Sequence, residues 1–314
     1  MKRSGGIVLV VAAAAALGAC RSGDVAGNAA RLGLGGASGR AGDIVAAGVT
    51  SAVDLAEQQR IQFSPEQEYY LGRGVSANVI AQYGLDPDEG VQQYVRTVGA
   101  TLVTLAGRIR GTHGGYHFGV LASPQVNGIS GPGGFVFVTR GALDAAESED
   151  EIAAILAHEI AHVAGSHGEK VIRADAGVRE EFGAIGRIVG AAAGDGQTSV
   201  RMYSLFKMAA GGLAKRLSNQ GYGAEFERKA DTEAVYTLFA AGYDASALST
   251  YLKRLPKKNN PAWTAHPDNL ARAAAIEPLV ATWGGRHDPA GVAPRAARFA
   301  AALHRGSVAS ASAN

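Results

Sequence analysis

Glu151-Ile152-Ala153-Ala154-Ile155-Leu156-Ala157-His158-Glu159-Ile160-Ala161-His162 sets two histidines four residues apart, with a glutamate directly after the first. Residues at that spacing lie on one face of an α-helix, about one turn apart. Ile152, Ile155, Leu156, Ile160 and Val163 recur at helical period, so the pattern predicts a helix through the motif. Ser148 followed by Glu151 predicts a capping box at its start, and Gly165 offers a stop. On such a helix His158 and His162 aim two imidazole nitrogens at one metal ion. Glu159, one step around, is set to accept a proton from a water that the metal activates. Taken alone, the same residues also describe a solvated helix face, so the reading depends on other parts of a metal site occurring elsewhere.

Zinc in a hydrolytic site takes three protein ligands and keeps one position open. Two candidates supply the third. His167 is close in sequence, but the H-E-x-x-H-x-x-G-x-x-H spacing would place that histidine at Gly168, and a slip of one residue redirects a side chain. Glu227 lies in Tyr222-Gly223-Ala224-Glu225-Phe226-Glu227-Arg228-Lys229-Ala230-Asp231, the start of a predicted helix running to Ala241. Glu227 and Asp231 are again four apart, so one can ligate while the other accepts a hydrogen bond from a ligand imidazole.

The beginning of the chain speaks to location. Lys2 and Arg3 precede an apolar run from Gly6 to Ala16 that is too short for a membrane-spanning helix but suits a signal peptide core. It ends in Leu17-Gly18-Ala19-Cys20, which resembles a bacterial lipobox, and Cys20 is the only cysteine of the 314 residues. An intramolecular disulfide is therefore excluded, and lipidation of Cys20 is expected. Arg21 after the cysteine favours the outer membrane, facing the periplasm. The expected organisation is a signal peptide over 1–19, a lipidated Gly/Ala-rich tether over 20–55, a catalytic domain over 56–285 and a low-complexity tail over 286–314, with one weakly amphipathic segment near Pro294 to His304. A formal charge of +2 without a basic block argues against nucleic acid as a partner.

Phe135-Val136-Phe137-Val138-Thr139 is rich in β-branched and aromatic residues and follows a Gly-Pro-Gly-Gly turn, so it predicts a strand, with Tyr116 to Leu121 as partner. Phe135, Val136, Phe137 and Val138 are expected to offer an edge to an extended peptide substrate. The segment over 168–220 is read either as a cover on the cleft or as a packed helical pair.

Several pieces occur in one order: Ser64-Pro65-Glu66-Gln67-Glu68 with Leu71-Gly72; Ser123-Pro124-Gln125-Val126-Asn127; Pro132 to Gly141; Ser148 to His162; Glu227 to Asp231; Ala241-Gly242-Tyr243-Asp244; and His266-Pro267 with Arg272. In this the chain resembles the zinc metallopeptidase family of the CAAX prenyl protease and HtpX type, which has periplasmic and lipoprotein members. Departures include Asn127-Gly128-Ile129 in place of Asn-Ala-Phe, and Lys229 in place of a glutamate before Ala230-Asp231. The resemblance implies a mainly helical α+β, zincin-like domain with a small sheet beside the active helix. It implies one Zn2+ per chain held by His158, His162 and Glu227, with Glu159 as general base and Asp231 supporting a ligand. His266 and Arg272 are implied to face the metal, as stabilisers of the transition state or as a gate. The implied activity is that of a gluzincin-type endopeptidase cutting misfolded envelope polypeptides. The rival expectation is a chaperone-like lipoprotein that binds such clients with latent peptidase activity.

Overall fold

The computed structural model describes residues 63–175, 177–180, 182, 196–255, 266, 268–283 and 289–303, without the side chains of 196–206. The expected signal peptide, Cys20 and the tether lie outside the described residues. No described helix is long and apolar enough to cross a membrane.

The chain runs α1 (Pro65–Tyr83), α2 (Glu89–Leu105), β1 (His117–Leu121), β2 (Gly128–Gly131), β3 (Phe135–Thr139), α3 (Arg140–Asp144), α4 (Glu149–Ala164), α5 (His167–Ala174), α6 (Gly196–Gln220), α7 (Ala224–Ala240), α8 (Ala247–Arg254), α9 (Asn269–Trp283) and α10 (Pro289–Leu303). The fold is mainly helical with one small sheet. Helix α1 starts with a full capping box, in which Ser64 accepts from the Gln67 amide and Gln67 accepts from the Ser64 amide.

Helix α4 carries the histidines and is apolar around nearly its whole circumference, so it is buried rather than set on the surface. Ile152, Leu156, Ile160 and Val163 join the main core with Val95, Val98 and Leu102 of α2, Val136 and Val138 of β3, and Val235 and Leu238 of α7. Its start differs from the expected capping box in one half. Ser148 accepts the Glu151 amide, but the Glu151 carboxylate takes the Glu147 amide and pairs with Arg254 instead of returning to Ser148. Its stop also differs: Gly165 is ordinary right-handed backbone, and the left-handed residue is Ser166, at φ 50°.

The sheet has the order β1-β3-β2. β1 and β3 are parallel, with His117 opposite Phe135 and Leu121 opposite Thr139. β2 and β3 are antiparallel, with Gly128 opposite Val138 and Gly131 opposite Phe135. This corrects the expectation for Phe135, Val136, Phe137 and Val138: the strand they form is central, hydrogen-bonded on both sides, and has no edge to give a peptide. Burial explains the arrangement, because Val136 and Val138 are fully buried and their apolar strand belongs inside the sheet. The short turn from β2 to β3 presses against α1, where a Cβ on Gly72 would lie 1.9 Å from the Pro132 carbonyl oxygen.

A second correction concerns the chain's end. Residues 289–303 of the expected tail form helix α10, which packs on α2 and α4. Charge holds it there: Arg295 reaches Asp150 and the Gly242 carbonyl, and Arg298 pairs with the buried Glu149. Both acids lie in the first turn of α4. Of the 168–220 segment, the described part of α6 packs on α1, burying Ala209, Ala210, Leu213 and Leu217.

Candidate metal centre

The centre is built by two helices lying along each other. Ala153, Ala154, Ala157 and Ala161 on α4 and Ala230 and Ala234 on α7 are all buried, and side chains this small let the two backbones approach closely. Each helix brings an i, i+4 pair to the shared face, His158 with His162 and Glu227 with Asp231.

Three donors converge. His158 Nε2 and His162 Nε2 are 3.1 Å apart, Glu227 Oε2 is 3.3 Å from the former, and Glu227 Oε1 is 3.6 Å from the latter. Bonds of about 2.0–2.1 Å in a tetrahedron put neighbouring donors roughly 3.3 Å apart, so the separations between the two imidazoles and the carboxylate match the spacing a zinc ion imposes. All three residues are buried, where two facing imidazole nitrogens and a carboxylate are costly unless a cation joins them. His158, Glu159 and His266 form a second close group. Its Glu159 already accepts the Ser130 hydroxyl at 2.6 Å through Oε2, which leaves Oε1 facing the centre.

Each ligand has a partner behind it. Nδ1 of His158 lies 2.9 Å from Asp231 Oδ1 and donates to it, leaving Nε2 with its lone pair toward the centre. Asp231 is held in turn by Arg272, with Nη2 donating to Oδ1 at 2.7 Å and Nε to Oδ2 at 2.9 Å. Nδ1 of His162 meets Nδ1 of His167 at 2.9 Å. His167, weighed from sequence as a ligand, therefore stands behind His162 and outside the donor triangle.

Electrostatics follow from this packing. Burial opposes charge on Glu227, but His266, His158 and His162 outweigh it and hold the carboxyl well below its ordinary range. Burial likewise opposes charge on Asp231, and Arg272 with His158 brings it below the usual carboxylate range. For His158, burial and Arg272 act against the charged form, and Asp231 with Glu227 overcome them, raising it to about 9. Burial, joined by the other histidines, pushes His162 well down against the pull of Glu227.

His266 and Arg272 occupy different places. His266 Nδ1 bonds Glu227 Oε2 at 2.7 Å, and its Nε2 is 3.9 Å from Glu159 Oε1, so it sits over the donors. Arg272 is committed to Asp231 beside the His158 ring.

Two residues of the centre had no signal in the motifs. Ser130, on β2, bonds Glu159. Tyr222 donates to the Ser130 carbonyl at 2.7 Å and stacks on His162, with centroids 3.9 Å apart and planes at 14°. A cue for Ser130 lay in the alternation of β2, where Gly128 and Ser130 share a face. Gly128 lies close against Glu159, where a Cβ would fall 2.4 Å from Glu159 Oε1.

The family model for peptidase family M48 matches residues 89–280, which contain the donors, Glu159 and both partner residues of the ligand histidines. The chain belongs to peptidase family M48. This M48 chain is 26% identical over 205 residues to the beta-barrel assembly-enhancing protease of Yersinia pestis, covering 64% of this chain and 40% of that one. It is 24% identical over 204 residues to the protein of the same name in Escherichia coli strain K12, again covering 64% of this chain and 40% of the relative. A mitochondrial metalloendopeptidase of Schizosaccharomyces pombe is 32% identical over 168 residues, covering 50% of this chain and 44% of the relative. The M48 chain thus aligns with less than half the length of these curated relatives. Helix α10 lies beyond the matched region.

Proposed function

We propose that this M48 peptidase is a zinc-dependent endopeptidase with a zincin-like domain, anchored by a lipid at Cys20 and acting on misfolded envelope polypeptides from the periplasmic side of the outer membrane. The observation that carries the reading is the triangle of buried donors from His158, His162 and Glu227, at zinc-like spacing directly beside Glu159. The names of the relatives, proteases of beta-barrel assembly among them, support the substrate class.

Zinc in this position supplies Lewis-acid activation of water and of the scissile carbonyl. Glu159 Oε1 accepts the proton of the attacking water and delivers it to the leaving nitrogen. Ser130 holds Oε2, so the carboxylate keeps one orientation through both transfers. Asp231 and His167 fix the tautomers of His158 and His162. His266, bonded to Glu227, either stabilises the developing oxyanion after moving aside or gates the centre at rest.

The test is metal content and casein cleavage for the full-length protein, Glu159→Gln, Glu227→Ala and His266→Ala. One zinc per chain is expected in wild type and in Glu159→Gln, with cleavage lost only in the latter, and metal lost in Glu227→Ala. A gate at His266 predicts faster cleavage in His266→Ala, whereas an oxyanion role predicts slower cleavage. Zinc-replete wild type that protects clients without cutting them, equally with Glu159→Gln, would establish the binder instead.

A further inference from the structure

Beside the donors of His158, His162 and Glu227, two further acceptors face one another. The Ser130 hydroxyl takes Oε2 of Glu159, so Oε1 is the oxygen of that carboxylate left to face the centre. A carboxylate such as Glu227 only accepts, so its 2.7 Å contact with His266 puts the ring hydrogen on Nδ1 and the lone pair of the neutral imidazole on Nε2. That Nε2 lies 3.9 Å from Glu159 Oε1, and the two side chains are only 7% and 2% exposed. A buried lone pair set against a buried charged oxygen is costly unless a cation joins them.

Bonds of about 2.0–2.2 Å set two donors roughly 3.3–3.5 Å apart on a tetrahedral ion, and up to about 4.2 Å apart where they oppose one another. The 3.9 Å separation falls inside that range. His158, Glu159 and His266 accordingly bring metal-type donors together in a group distinct from that of His158, His162 and Glu227. Nδ1 of His158 donates to Asp231, which leaves His158 a single nitrogen, Nε2, for the three-donor centre. A second ion is therefore held by Glu159 and His266, with water completing its shell. The space bordered by Asn127, Glu159 and His266 measures about 40 Å3, room for about three water-sized spheres at roughly 10–15 Å3 each. One imidazole with one carboxylate suits a zinc-type ion, whereas calcium takes about six to eight oxygens.

We infer that Glu159 and His266 form a second, inhibitory cation site, which takes a zinc-type divalent ion when zinc is in excess. The inference rests on the endopeptidase reading and adds its regulation by metal. Glu159 Oε1 is the oxygen that accepts the proton of the attacking water, and an oxygen already bonded to a cation does not accept it. The second site is the weaker of the two, because it has two protein donors against three and its ion meets the charge of the first. One ion per chain thus remains after dialysis and supports cleavage, and a further equivalent stops it.

The experiment titrates zinc into dialysed full-length protein carrying one zinc. Calorimetry reads binding, and a quenched fluorescent peptide without His, Cys or acidic residues reads cleavage. Wild type should take up one further ion, more weakly than the first. Glu159→Gln and His266→Ala each remove one donor and should weaken that second event about 10- to 100-fold, with either variant sufficient should the other fail to fold. Cleavage by wild type should fall about 100-fold or more as the second event saturates, with the same midpoint, and return when a weak chelator removes the excess. His266→Ala, scaled to its own rate with one zinc, should hold that rate over the same zinc range. No second event in wild type, a second event unchanged in both variants, or undiminished cleavage at its saturation would overturn the site. If wild type with one zinc cuts nothing, the endopeptidase reading fails and calorimetry alone decides the site: a second event that survives both substitutions rejects it.

Discussion

At Glu159 a single hydroxyl decides how a carboxylate is presented. Ser130 donates to Oε2 from 29 residues earlier in the chain, and Tyr222, 92 residues beyond Ser130, locks the Ser130 carbonyl. A hydrogen bond to a charged group contributes roughly 1.5–3 kcal/mol. Ser130→Ala is therefore expected to lower kcat about 10- to 100-fold with KM and zinc content unchanged, and Ser130→Thr to restore much of it. Steady-state kinetics with metal analysis checks this, and loss of zinc in Ser130→Ala would mean a structural role instead. Asp231→Asn should weaken zinc binding about 10- to 100-fold, as measured by competition with a chelating dye, because the His158 tautomer is no longer enforced. His167 gives a pH prediction. Burial, Lys170 and Lys229 push it down to about 4, so below its ordinary 6.5 the unfolded chain takes up a proton that the fold refuses. Metal-free protein should therefore lose stability as pH falls from 6.5 to 4, and His167→Asn should flatten that part of a thermal-melt series. The i, i+4 pairs were legible in the sequence because helix geometry alone puts them on one face. Ser130 and Tyr222 were not, because no local period relates a strand hydroxyl to a helix carboxylate.

Helix α4 is held at its start by chemistry outside its own sequence. Its first turn carries Glu149 and Asp150, and Glu149 is fully buried at the side chain. Arg298 and the Tyr243 hydroxyl reach Glu149, and Arg295 reaches Asp150. Removing Arg298 leaves a buried acid short of a partner. Arg298→Ala is expected to lower the unfolding free energy by about 1–3 kcal/mol in urea titrations, and a change below about 0.5 kcal/mol would show that α10 is not a brace. The helix was sensed from sequence only as a weak amphipathic stretch, because its anchoring charges find their partners roughly 150 residues away. At α1, a methyl group on Gly72 would strike the Pro132 carbonyl, which belongs to backbone and yields little. Gly72→Ala should cost about 1–3 kcal/mol by the same measurement. The sheet shows a different limit. Composition identified β3 and its partner β1, but whether β3 was edge or centre depended on β2, a four-residue segment with two glycines and little strand signal of its own.

For the molecule as a whole, a bound metal is a stability term. A ligand that binds only the folded state at a hundredfold above its dissociation constant adds about 2.7 kcal/mol. For a domain of this size that amounts to roughly 5–10 °C in Tm. Treatment with a chelator should lower Tm by about that amount in wild type and leave Glu227→Ala unmoved, as read by circular dichroism. The amino-acid sequence by itself determined the two helices that carry the motifs and the pairing of residues on one face of each, because these follow from a period of 3.6 residues, whereas the union of His158, His162, Glu159, Glu227 and Asp231 into one set was what the family resemblance implied. Only the tertiary structure decided that β3 lies inside the sheet, that His167 stands behind His162, that Arg272 serves Asp231, and that Ser130 holds Glu159. Those outcomes turn on which surfaces meet when the elements pack, and contacts between residues far apart in the chain leave no periodic trace in it.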